Sequence, residues 1–318
     1  MKIDRRVLTG GFPLLALFAI GGCSSGSYSA PPPPPPPPPD TTAPTVSAVQ
    51  APAGTVDRIV TLTLTASDNI GVTEVRFFVD GQLLGTVAAP PYSIDWDTST
   101  ATEGDHVLSA EATDAAGNVA QSAGVTVAVR NIIQFAVAMS GEQEVPPTDS
   151  QASAQASVTV NLVTGEVQGE LTTNGLTATA AHIHDAFAGT NGSVLVPLDQ
   201  DAGDPSRFTV PAGATFDAAG LDRLLAGALY VNTHSDAAPG GEIRGQILPN
   251  GFVLRFTDIA GTAAVPQVHS LASGRAAVTL DQANGTLVVQ VQVEGLDDAT
   301  QAHVHEAYAG ARGPVLVP

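Results

Sequence analysis

The chain has 318 residues, 12 basic and 31 acidic, with a formal net charge of −19. Nucleic-acid binding draws its affinity from Lys and Arg that neutralise phosphates, so this balance excludes that partner class and favours cations. One cysteine in the whole sequence excludes a disulfide framework, and stability has to come from packed cores.

Residues 1–6 are short and basic, and 7–20 (VLTGGFPLLALFAI) are apolar. A bilayer span needs about 20 apolar residues, so this run reads as an export signal. It ends in Ile20-Gly21-Gly22-Cys23, which resembles the bacterial lipobox, in which the cysteine is lipidated before cleavage. An unpaired thiol in an exported protein otherwise lacks a reason. Each buried acyl methylene contributes about 0.8 kcal/mol, so two or more chains anchor durably. Ser24 after the cysteine resembles the outer-membrane sorting pattern. Loss of residues 1–22 leaves a chain without lysine.

Residues 23–43 form a linker in which Pro31 to Pro39 is unbroken. Polyproline II rises about 3.1 Å per residue, which makes this a semi-rigid spacer.

Over 44–130 the text becomes short alternating runs: 59–67, 72–80, 82–88, 106–114 and 125–129. Period-2 patterning broken by turn residues about every ten positions predicts an antiparallel sandwich, with Trp96 packed in its core or on its edge. The turn sequences Asp68-Asn69-Ile70-Gly71-Val72 and Ala112-Thr113-Asp114-Ala115-Ala116-Gly117-Asn118 resemble bacterial immunoglobulin-like repeats of surface proteins. Asp68, Asn69, Asp114 and Asn118 suit either calcium or turn chemistry alone.

Beyond Asn131 the chain repeats. VTVNLVTGEV (158–167) matches VTLDQANGTL (278–287), and AHIHDAFAGTNGSVLVP (181–197) matches AHVHEAYAGARGPVLVP (302–318). Two copies follow, over 132–248 and 252–318, and the second lacks counterparts of roughly the last 50 residues of the first by the repeat's own spacing. One helix is expected, in FDAAGLDRLLAG (216–227), where Leu221, Leu224 and Leu225 form a stripe and Gly227 a stop.

Six of the seven histidines lie in the repeats. His182/His184 and His303/His305 are H-x-H pairs, and residues i and i+2 of a strand share a face. His234 ends ALYVNTH, on the phase of Tyr230 and Asn232. Three histidines with an open position suit copper or zinc. A buried polar network with Asp185, Glu142 and Glu144 is the other reading of the same residues, and both stand at this point. No catalytic residue set is discernible.

FAVAMSGEQEVPP, AAHIHDAFAGTNGSVLVPL and ALYVNTHSDAAPGGEIRGQI resemble the chordin-type (CHRD) domain, an extracellular module without an established activity. H-V-H-E at His303 to Glu306, and ALYVNTH followed by GEIRGQI, resemble copper–zinc superoxide dismutases more weakly. That resemblance implies a Greek-key sandwich and sets His182, His184 and His234 where three copper ligands would lie. The departures are large: no histidine between 185 and 233, no cysteine pair, and Arg244 displaced from the active-site arginine. The reading that results is all-β. It is an exported, lipid-anchored, non-enzymatic binding or adhesion protein at the cell surface, whose partner is an extracellular protein or glycan. The alternative is a copper- or zinc-binding protein with at most vestigial dismutase-like activity.

Replacement of Cys23 by Ser should leave the protein precursor-sized or release it into the soluble fraction on membrane fractionation. Undiminished membrane association of that variant would contradict the lipoprotein reading.

Overall fold

A computed structural model describes residues 33–296 and 298–318. The export signal and Cys23 lie outside the described residues. The chain divides into residues 1–40 and 41–318. In the first, 33–39 are exposed and without regular secondary structure. Among the described residues no helix is long and apolar enough to cross a membrane.

The second unit is almost wholly β. Two sheets face each other over 45–129. One pairs Ile59–Leu64 with Tyr92–Asp97; the other runs Thr55–Val56, Val125–Val129, Gly104–Asp114, Val72–Val79 and Gln82–Val87. Alternation drives this arrangement: Val60, Leu62 and Leu64 are buried while Ile59, Thr61 and Thr63 are exposed. Leu62, Val75, Phe77, Trp96 and Leu108 join one core. Fully burying a side chain of this size contributes about 1.5–3 kcal/mol. The acidic turn residues organise their own loops. Asp68 accepts from the N–H groups of Ile70 and Gly71, and Asp114 from those of Ala116 and Asn118.

Asn131 joins this domain to the next. Its buried side chain accepts from the Arg58 N–H and the Thr98 hydroxyl and donates to the Thr98 carbonyl, while Leu162 N–H bonds its backbone carbonyl. The junction is thus a packed contact, not a slack tether.

The first repeat differs from a two-sheet expectation in one respect. Its strands form a single nine-stranded ladder, in the order Ser193–Pro197, Ala180–Asp185, Leu229–His234, Ile243–Ile247, Ile132–Ser140, Ser153–Asn161, Val167–Asn174, Arg207–Thr209 and Asp199–Gln200. The two halves meet through one residue pair, Ser140 and Arg244. The sheet bends there and closes round one core, which takes Phe135, Val158 and Leu171 from one half and Ile183, Val231 and Ile247 from the other. The expected helix is Ala218–Leu225. Asp217 caps it by accepting from the Gly220 N–H, Leu221 and Leu224 are buried, and Gly227 follows at φ +70°, where a glycine ends a helix without strain.

The second repeat reproduces part of this plan. Phe252–Ala260, Ser273–Asp281 and Thr286–Glu294 form a three-stranded sheet, and Val304–His305 pairs with Val315–Val317. The pairing registers match the first repeat at an offset of 120: Ile132 opposes Asn161, and Phe252 opposes Asp281.

One pair, a buried His106 against an exposed Asp80, makes the first domain sensitive to pH. His106 Nε2 bonds the Thr102 carbonyl at 2.8 Å and Nδ1 bonds Asp80 at 2.6 Å. The Thr102 carbonyl foremost, then Asp80, raises the His106 pKa against the opposing effect of burial. The Val107 N–H, followed by His106, lowers that of Asp80. A folded state that favours the imidazolium is fully stabilised by it below about pH 6.5 and loses that contribution as pH rises through the raised value. Trp96, the only tryptophan, has its ring 5.6 Å from that of His106 and reports this domain alone. Melting followed by Trp96 fluorescence should fall between pH 6 and 8.5 in the wild type and stay flatter in His106→Gln. Equal slopes would contradict the pair's role.

Candidate metal centre

Strand phase builds the site. On Ala180–Asp185, Ala181 and Ile183 point into the core; on Leu229–His234, Leu229 and Val231 do the same. His182, His184, Tyr230, Asn232 and His234 therefore share the opposite face. The ladder sets His182 opposite Asn232, His184 opposite Tyr230 and Ala180 opposite His234. The next strand continues the layer with Arg244 opposite Asn232 and Gln246 opposite Tyr230.

The three histidines converge. One nitrogen from each lies within 4.8 Å of the other two, and His182 Nδ1 stands 3.0 Å from His234 Nε2. Two rings are oriented from behind: His184 Nδ1 bonds the Gly192 carbonyl and His234 Nδ1 the Pro239 carbonyl, both at 3.0 Å. A carbonyl accepts only, so both rings carry their proton on Nδ1 and turn a lone pair on Nε2 inward. Backbone carbonyls hold metal-ligating histidines in this way. His184 Nε2 is buried and meets no partner in good hydrogen-bond geometry, with the Asn232 side chain its polar neighbour. Such an atom costs about 1–3 kcal/mol if left unsatisfied.

The carboxylates expected to pair with the histidines go elsewhere. Asp185 bonds Arg223 at 2.6 Å and Glu142 bonds Arg275 at 3.0 Å. Glu144 is buried beside Arg244 and Asn232. The second repeat has half of the arrangement: His303 and His305 have ring centroids 5.9 Å apart, and His305 Nδ1 bonds the Gly313 carbonyl. No third histidine joins them among the described residues.

Behind the histidines lies a polar layer that the spacing of histidines did not disclose. Arg244 is 1% exposed. Its guanidinium donates to the carbonyls of Thr190 and Phe187 and to Gln246 Oε1, and stacks 3.4 Å from the Tyr230 ring centre. Tyr230 stacks on His184 in turn, with ring centroids 4.8 Å apart. The available signal was the polar phase of L-Y-V-N-T-H and I-R-G-Q-I, in which every second residue is polar in strands whose other face is core.

Electrostatics follow burial. Desolvation foremost, then the neighbouring imidazoles, pulls His182 below its usual range; desolvation likewise pulls His184 down. Both are therefore neutral, metal-competent ligands near pH 7. Burial pushes Glu144 up to about 7, against the opposing charge of Arg244, and brings Arg244 down to about 10.

Between about pH 4.5 and 7, the folded state holds a proton on Glu144 that the unfolded chain has lost, so Glu144 costs more stability as pH climbs. In metal-free protein, Glu144→Gln should gain hydrogen-exchange protection over wild type in Leu229–His234 as pH rises from about 5 to 7.5. A constant difference across that window would contradict the buried, proton-holding carboxyl.

No curated protein matches the chain. Among solved structures, the fibronectin(III)-like modules of Clostridium thermocellum CbhA align at 28% identity over 27% of this chain and 96% of that one. The TM-score of 0.23 leaves this likeness without weight. The bacterial Ig domain model matches residues 44–110, most of the region in which the two facing sheets lie. The CHRD domain model matches 135–247 and 256–318, more than half of the chain and both repeats, and the chain accordingly belongs to the CHRD domain family.

Proposed function

We propose that the protein is a membrane-tethered, extracytoplasmic binding module whose first CHRD repeat holds one copper or zinc ion on His182, His184 and His234. The observation that carries the metal reading is the convergence of three imidazole nitrogens within 4.8 Å of one another, with the Nε2 of His184 buried. The residues fit such an ion in chemistry as well as number: neutral imidazoles suit both metals, and the carbonyl-bound Nδ1 protons fix two of the three rings.

His234 Nε2 is an acceptor, so the 3.0 Å contact with His182 carries one proton, on His182 Nδ1. A bound ion would take the place of that proton, with the His182 N–H then carried on the outer ring nitrogen. Held by these three imidazoles, the ion would supply a fixed positive charge toward an anionic or carbonyl group of a partner. The buried Arg244 adds a second positive charge to this layer. We ascribe no catalytic residue to the chain.

Anchoring and surface display rest on the Cys23 signal and on the polyproline spacer. Bacterial Ig domains are typical of surface proteins, which agrees with this placement. Extracellular proteins or glycans are the partners such tandem β modules would meet.

Calorimetric titration of the full chain carrying Cys23→Ser with Zn²⁺ and with Cu²⁺ should give one tight site per chain. The His182→Ala, His184→Ala double variant should lose it by more than 100-fold, because even the groups behind the ligands change affinity by about 10–100-fold. His303→Ala should leave it unchanged. The lowered His182 and His184 values mean that affinity should persist below about pH 6.5 and fail only in more acid solution. Equal binding by the double variant would remove the metal reading.

A further inference from the structure

The two CHRD repeats are copies in backbone register but not in the face they show to solvent. On the Ser153–Asn161 strand of the first repeat, Gln155 is exposed and Ser157 is half-buried; their counterparts at an offset of 120 are Arg275 and Ala277. Ala277 is 3% exposed. The same outer face carries Leu254, Phe256 and Val288 where the first repeat has Gln134, Ala136 and Gln168, which are all exposed. Alternation alone would leave both outer faces in water, so something covers the second one.

What covers it is the loop side of the first repeat. Glu144, Val145 and Gly189 face Phe256, Arg275 and Gln292 across a void of about 10 Å³, no more than one water needs. Arg275 pairs with Glu142 at 3.0 Å and stacks on Phe256, while Gln292 donates to the Gly189 carbonyl at 3.1 Å. A Cβ on Gly189 would stand 2.8 Å from Ala277 Cβ, so a small residue on each side is a condition of the fit. The contact combines an apolar and small-residue centre with a charged rim, the usual anatomy of a specific interface.

The complement is written on one copy only. The second repeat has Thr262 and Ala264 where the first has Glu142 and Glu144, and the first has Gln155 where the second has Arg275, its own outer-face arginine, Arg207, being paired with Glu170. We propose that the outer face of the second repeat is a dedicated docking surface for the first repeat's 141–147 and 186–192 loops, and that it works in one direction only. The tandem is a fixed, polar-rimmed pair, not two beads on a linker. The inference does not depend on whether the histidines bind metal.

The test uses the full chain with Cys23→Ser and two matched insertions of bulk and charge, Ala277→Arg and Ser157→Arg. Small-angle scattering and hydrogen exchange over 186–192 are the readouts. Ala277→Arg should enlarge the radius of gyration and raise exchange in 186–192 at least ten-fold, with protection in Leu229–His234 unchanged. Ser157→Arg, on the equivalent residue of the first repeat, should change neither. Because Ala277→Arg can also disturb its own sheet, a second arm reverses the ion pair. Arg275→Glu should loosen the contact, and added Glu142→Arg should restore it. Equal effects of the two arginine insertions, or no effect of any variant, would overturn the proposal.

Discussion

The buried guanidinium of Arg244 is the constraint on which the polar side of the first CHRD repeat depends. Removing a full charge from water costs several kcal/mol, recovered only where the surroundings satisfy its donors. Here two loop carbonyls and a glutamine take the donors, and a tyrosine ring takes the flat face. Those carbonyls belong to 186–192, so satisfying the arginine fixes the loop. The loop ends at Gly192, whose carbonyl orients His184 and whose N–H bonds the Tyr230 hydroxyl. One charge thus sets the backbone that aims an imidazole, and the outside of the same loop receives the second repeat.

Much of this was legible in the sequence because strands alternate. His182, His184 and His234 fall on one face by phase alone, and the structure brings their nitrogens within 4.8 Å. The helix was equally plain, since Leu221 and Leu224 recur at a helical interval between a capping aspartate and a glycine. The strand Tyr92–Asp97, which carries Trp96 opposite Val60, went unread although Tyr92, Ile94 and Trp96 alternate with Ser93, Asp95 and Asp97, because the run is short and a Pro-Pro pair precedes it.

The partners of the histidines were not legible. Local sequence offers carboxylates nearby, but Asp185, Glu142 and Glu144 are drawn to Arg223, Arg275 and the surroundings of Arg244. Backbone carbonyls orient the rings instead, and a carbonyl has no sequence signature. The single curled ladder was hidden for a similar reason, because it depends on one long-range pair, Ser140 with Arg244. Comparison of the two copies carries information that neither holds alone. Where register is shared and side chains diverge, as at Ser157 and Ala277, the divergence marks a surface given a different task.

The proposed site offers a cation two inward lone pairs, on His184 and His234, and a third on His182 once its Nδ1 proton moves outward, and nitrogen-resolved NMR of the histidine rings tests this most directly. In metal-free protein at pH 7, His184 and His234 should both be protonated on Nδ1. Added Zn²⁺ should shift Nε2 of those two rings and Nδ1 of His182, at one equivalent. A proton found on His184 Nε2, or three rings unmoved by the metal, would contradict it.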